Sequence, residues 1–223
     1  MRFQPRTRVA CEGGALKVRL AFRMALNLIP ESDPVLRDIA KPIADYGSRR
    51  LLRLAGEMED LRAEECALGL AAPQVGVSER IIVVEIPDDD FVGIPETYPV
   101  PATVLVNPEI VWETEQLIKL PEGCLSLCGM MGNVLRPSRI QVEARDVEGN
   151  PFSIMADGWL ARVLQHEIDH LDGILYPDRI EEPGELWIVE TVELNDPVWS
   201  RNPTVREILE RRNPNSPGEA GMA

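Results

Sequence analysis

Two histidines in 223 residues stand four positions apart, in Gln165-His166-Glu167-Ile168-Asp169-His170. On an α-helix that spacing puts both imidazoles on one face, one turn apart, where they can share a single metal ion. Glu167, beside the first, can reach a water at such an ion without being a ligand itself. A catalytic site of this kind takes three protein ligands and keeps one position open. One candidate for the third is Cys124, in Glu122-Gly123-Cys124-Leu125-Ser126; others are the downstream carboxylates Glu185, Glu190 and Glu193, which would make an ordinary zinc peptidase. Spacing alone does not choose between them.

The helix that must carry the pair is predicted to start after Asp157 as its cap and to run to about Leu171, with Gly173 as its terminating glycine. Trp159, Val163, His166 and His170 then fall on one stripe, which should face the interior or a cleft. Upstream, Ala67-Leu68-Gly69-Leu70-Ala71-Ala72-Pro73-Gln74-Val75-Gly76 is small and apolar with one amide, a composition suited to close backbone approach. Asp33-Pro34 reads as the start of a short helix stopped before Pro42. Leu51, Leu54, Ala55, Met58 and Leu61 repeat at helical spacing within 45–65. Ile81 to Ile86 reads as a buried strand and 87–101, with its prolines and acidic run, as a long loop. Further strands are expected at 103–107, 109–113 and 116–120. Residues 140–145 and 151–155 should form a hairpin about Glu148-Gly149-Asn150, and one more helix is expected near 204–212 ahead of a disordered 213–223.

Composition bounds the function. The chain is 44% hydrophobic and 27% charged, as an ordinary globular protein is, and no apolar run approaches the length of a membrane span. A formal net charge of −14 argues against a duplex nucleic-acid binder. The basic groups Arg2, Arg6, Arg8, Lys17, Arg19 and Arg23 stand against Glu12 alone, so residues 1–23 read as a dispensable extension or else a transit peptide. Cys11, Cys66, Cys124 and Cys128 are too few and too scattered for a disulfide framework. The expected organisation is an extension over 1–25, a catalytic domain over 26–182 and a second extension over 183–223. The expected class is α+β, with antiparallel sheets packed around the histidine-bearing helix.

Gly69-Leu70-Ala71-Ala72-Pro73-Gln74, Glu122-Gly123-Cys124-Leu125-Ser126 and Gln165-His166-Glu167-Ile168-Asp169-His170, in that order and at about these spacings, resemble the signature of peptide deformylase. The resemblance covers about 26–181. It implies that Cys124, His166 and His170 bind one divalent metal, ferrous iron first and zinc or nickel as alternatives, and that Glu167 moves the proton. It also implies that Gln74 and the backbone N–H of Leu125 face charge growing on the carbonyl oxygen, and that Glu122 pairs with Arg136. The substrate would be the N-formyl-methionyl end of a nascent peptide, met during transient association with the ribosome in a bacterial cytoplasm, or in an organelle if residues 1–23 are a transit peptide. Its backbone would pair with Leu68, Gly69 and Leu70, and Leu120, Trp159 and Val163 would wall the methionine pocket. The chain departs from the family at Ala67, where a glycine is common, and over Leu127-Cys128-Gly129-Met130-Met131, where the family has a proline and a basic residue. A related fold that has kept only a binding role is the alternative outside enzymology; the intact ligands, base and amide speak against it.

Overall fold

A computed structural model of the chain describes residues 26–87 and 98–188. The expectations for 1–25, for most of the 87–101 loop, for Glu190 and Glu193, and for 204–223 lie outside the described residues.

Two antiparallel sheets form the frame. The first has five strands in the order β1 (Gly69–Ala71), β2 (Ile81–Ile86), β3 (Val100–Glu113), β6 (Arg139–Arg145) and β7 (Pro151–Asp157). The second has β4 (Leu117–Gly123), β5 (Met130–Pro137) and β8 (Leu186–Ile188), with β5 in the middle. Helix α1 (Arg49–Glu64) covers one face of the first sheet and helix α2 (Gly158–Leu171) the other. This makes β2 a strand buried on both sides. Ile81 and Val83 pack toward α1 with Leu51, Leu54, Ala55, Met58 and Leu61, whereas Ile82, Val84 and Ile86 pack toward α2 with Leu160, Leu164 and Ile168. A continuous apolar run is what two buried faces require.

Local chemistry fixes the ends of the elements. The Asp33 carboxylate accepts from the Val35 N–H, but the helix it starts is a single 3-10 turn over Pro34–Arg37. Ser48 Oγ accepts from the Leu51 N–H and starts α1. Asp157 does not cap α2 with its side chain, which lies 3.6 Å from Arg139 instead; the chain turns into the helix through Gly158 at φ +55°. At the other end Gly173 takes φ +70°, and the Ile174 N–H returns to the Asp169 carbonyl.

Three strand expectations need correction. The segments at 103–107 and 109–113 are one strand with a bulge. Asn107 takes φ +51° there, and its side-chain amide bonds the Ile43 backbone and the Tyr46 hydroxyl, so the Asn-Pro pair bends the strand without ending it. β4 runs on to Gly123, past the expected end at 120. No strand was expected where β5 lies, from Met130 to Pro137, and β8 pairs with it beyond residue 182.

Candidate metal centre

Three elements converge. β4 ends at Gly123 and delivers Cys124 in extended conformation at the mouth of a 3-10 turn, Leu125–Leu127. α2 presents His166 and His170 from one face, their ring centroids 5.0 Å apart. β1 and the 3-10 turn Ala72–Val75 bring in Gly69 and Gln74. Cys124 Sγ lies 3.2 Å from His170 Nε2, and ligand atoms of Cys124, His166 and His170 all fall within 4.8 Å of one another. Among the described residues these three are the group able to hold a metal ion. Glu185 is elsewhere, bonded to Lys119 and Asn133.

The donor set suits a divalent cation. Burial alone would push the Cys124 thiol up, but the two histidines hold it well below its ordinary value; burial disfavours a charged His166, yet Cys124 and Glu122 raise it well above. The protein thus keeps positive charge between a sulfur and a ring nitrogen, and a bound cation would take the place of the protons. His166 is oriented from behind by Glu122, whose Oε2 is 2.9 Å from Nδ1, leaving Nε2 for the centre.

Behind that contact lies a buried ionic network. Arg136 grips Glu122 with Nε to Oε1 at 2.6 Å and Nη2 to Oε2 at 2.9 Å, and Arg162 Nη1 adds a bond of 2.8 Å. Arg136 also reaches Asp169 Oδ2 at 2.7 Å, and Arg179 holds the same carboxylate from the far side. Burial pushes the Glu122 carboxyl up, but Arg136 and His166 overcome it and keep it well below the usual range. Asp169 is therefore a buried link rather than a solvated acid. Arg162 and Arg179 were not foreseen. An arginine on the buried stripe of α2 was the available signal, since a buried guanidinium needs a carboxylate.

Glu167 sits in the opposite condition. It is buried, its Oε2 has no hydrogen-bond partner among the described residues, and desolvation raises its carboxyl to about 7. Gln74 is buried too. Its Oε1 accepts from the Ala71 N–H at 2.8 Å, which turns the amide nitrogen toward Ser126 Oγ at 3.3 Å and Cys124 Sγ at 3.6 Å. The Leu125 N–H, at the first position of its turn, has no acceptor within that turn.

A cavity of about 580 Å³ opens over these groups. Leu68, Gly69, Gln74, Cys124, Leu125, Trp159, Val163, His166 and Glu167 line it, together with Cys128, Met130 and Met131. Leu120 does not; it lies opposite Val134 in the β4–β5 ladder, and its neighbour Pro121 takes the place at the wall. The side chain of Leu70 packs toward α1, as alternation along β1 demands. β1 is an edge strand of the five-stranded sheet, so one side of its backbone is left for another strand.

Known proteins resemble this chain in sequence and fold. The profile of the family described as polypeptide deformylase matches residues 25–185. A peptide deformylase of Natranaerobius thermophilus is 46% identical over 160 residues, covering 71% of this chain and 95% of that one. One from a Picosynechococcus species is 45% identical over 149 residues, covering 67% and 75%. Among solved structures, the class I type b peptide deformylase of Acinetobacter baumannii bound to Met-Ala-Ser superposes with a TM-score of 0.65 at 34% identity, covering 70% of this chain and 98% of that one. The plant peptide deformylase PDF1B superposes with a TM-score of 0.64 at 32% identity, covering 86% and 91%. Sequence, fold and the clustering of Cys124, His166 and His170 agree: the chain belongs to the peptide deformylase family.

Proposed function

We infer that the family's activity, removal of the N-formyl group from the N-terminal methionine of newly made proteins with release of formate, is carried here by the cluster of Cys124, His166, His170, Glu167 and Gln74. The observation that supports this division of labour is the contrast on the two sides of His166: Glu122 bonded behind it to Arg136 and Arg162, and Glu167 lining the cavity with its Oε2 unpartnered among the described residues.

Cys124, His166 and His170 hold one divalent ion, ferrous iron on the family resemblance, with zinc and nickel suited to the same thiolate and imidazoles. When bound, it supplies a Lewis acid at which water ionises near pH ~7. Glu167 takes the proton of the attacking water and hands it to the departing amine, a role for which a carboxyl near neutrality is well placed. Gln74 Nε2 and the Leu125 N–H donate to the oxygen on which charge grows; losing one such donor costs on the order of 3 kcal/mol. The peptide backbone adds a strand along Leu68–Leu70, and its methionine enters the apolar end walled by Trp159 and Val163. The Acinetobacter baumannii relative has a peptide that begins with methionine, Met-Ala-Ser, bound to it.

The working unit is the 26–182 domain on the motif helix, extended by β8, with residues 1–25 dispensable. No helix among the described residues is long and apolar enough to cross a membrane. The reading assigns the work to the bacterial cytoplasm, in transient contact with ribosomes where formylated ends emerge, with duplex nucleic acid left unbound.

Formate release from a formyl-methionyl dipeptide by protein purified without oxygen tests this. The wild type should turn over and Glu167→Gln should not, with equal metal in both. Cys124→Ser should lose the metal and Glu185→Gln should keep it. Equal rates for wild type and fully loaded Glu167→Gln would remove the assignment.

A further inference from the structure

Gly69 lies in β1 outside the set of residues with positive φ, so its backbone conformation is open to any residue. What a side chain there would displace is Glu167. A Cβ at position 69 would stand 2.3 Å from Glu167 Oε1, 2.6 Å from Cγ and 2.7 Å from Cδ. All three are atoms of one side chain, and all three distances are far inside van der Waals contact. Gly132 makes the contrast. A Cβ there would strike Ile180 and Leu186 and crowd the Glu185 carbonyl, with no reacting group involved.

We propose that Gly69 is a positioning residue: the space left by its missing Cβ is the seat of the Glu167 carboxyl. This rests on the reading of Glu167 as the proton carrier. The carboxyl is buried and makes no hydrogen bond through Oε2, so no donor there fixes where it points. Its placement is set by shape, from the strand across the cleft. A methyl group at 69 forces the carboxyl out of its seat or β1 away from α2.

Gly69→Ala in the metal-loaded enzyme should lower kcat about 100-fold or more, since a displacement near 1 Å can cost that much. KM should change by less than about threefold, and metal content should hold. Added to Glu167→Asp, whose carboxyl stops one carbon short, the same substitution should cost less than threefold further. A wild-type kcat, a loss confined to KM, or an equal factor in both backgrounds would overturn the proposal. If Gly69→Ala melts too low to assay, its melting temperature decides. Recovery on adding Glu167→Ala supports the seat, and no recovery refutes it. Glu167→Gln with wild-type kcat would remove the proton-carrier reading itself, whereas an active Gly69→Ala beside an inactive Glu167→Gln removes the seat alone.

Discussion

Glu122 and Glu167 both flank His166, one through a hydrogen bond and the other through the chain, and they are 5% and 4% exposed. Burial acts on them alike, yet one is held ionised and the other is pushed to about 7. The difference lies in their company. Glu122 meets two guanidiniums and an imidazole, while Glu167 faces a cavity. A protein that places two carboxyls in such unlike surroundings gives one a structural task and keeps the other available for proton transfer.

The contrast can be broken from either side. Glu167→Gln should cost the most activity, on the order of 10²- to 10⁴-fold in kcat, with no fall in melting temperature, because it removes an uncompensated buried acid. Formate assays and calorimetry on one preparation check both halves. Glu122→Gln should do the reverse. It takes away the carboxylate charge facing two buried guanidiniums, leaving Arg136 with Asp169 and Arg162 with backbone carbonyls. It should cost up to about 3–5 kcal/mol and weaken metal binding roughly 10- to 100-fold by freeing His166, as chelator competition would read.

A smaller test uses pH on metal-free protein. Glu122 is held below its unfolded value of 4.5, so the stability it adds is complete above that pH and drains away as pH falls toward the folded value. Glu167 is raised from 4.5 to about 7, so it takes stability away as pH climbs through that window. Urea titrations should show the acid-side loss flattened in Glu122→Gln and the neutral-side loss flattened in Glu167→Gln. Asp169→Asn, one guanidinium further back, should have the smallest effect, a few-fold in metal affinity.

The histidine pair, Glu167 and α2 were legible because helical period four is a local rule. Cys124 and Gln74 were reached through the family resemblance, since nothing in their spacing closes the site. β5 escaped for a physical reason. Its inward face reads Met130, Gly132, Val134, Arg136, and a buried arginine with a glycine destroys the alternation that marks a strand. That arginine is inside because Glu122 and Asp169 are, and all three come from different elements. Networks of that sort leave no trace in local periodicity. Leu120 was misplaced by one position, enough in a strand to change faces.

The open flank of β1 reaches beyond the chemistry. An enzyme that must serve every protein its cell makes gains little from reading residues that vary from one client to the next. Amide hydrogens and carbonyls are the same in all of them. On the proposed reading, a ledge that asks only for main chain, next to a recess for the one invariant residue, would let a single catalyst greet a whole proteome.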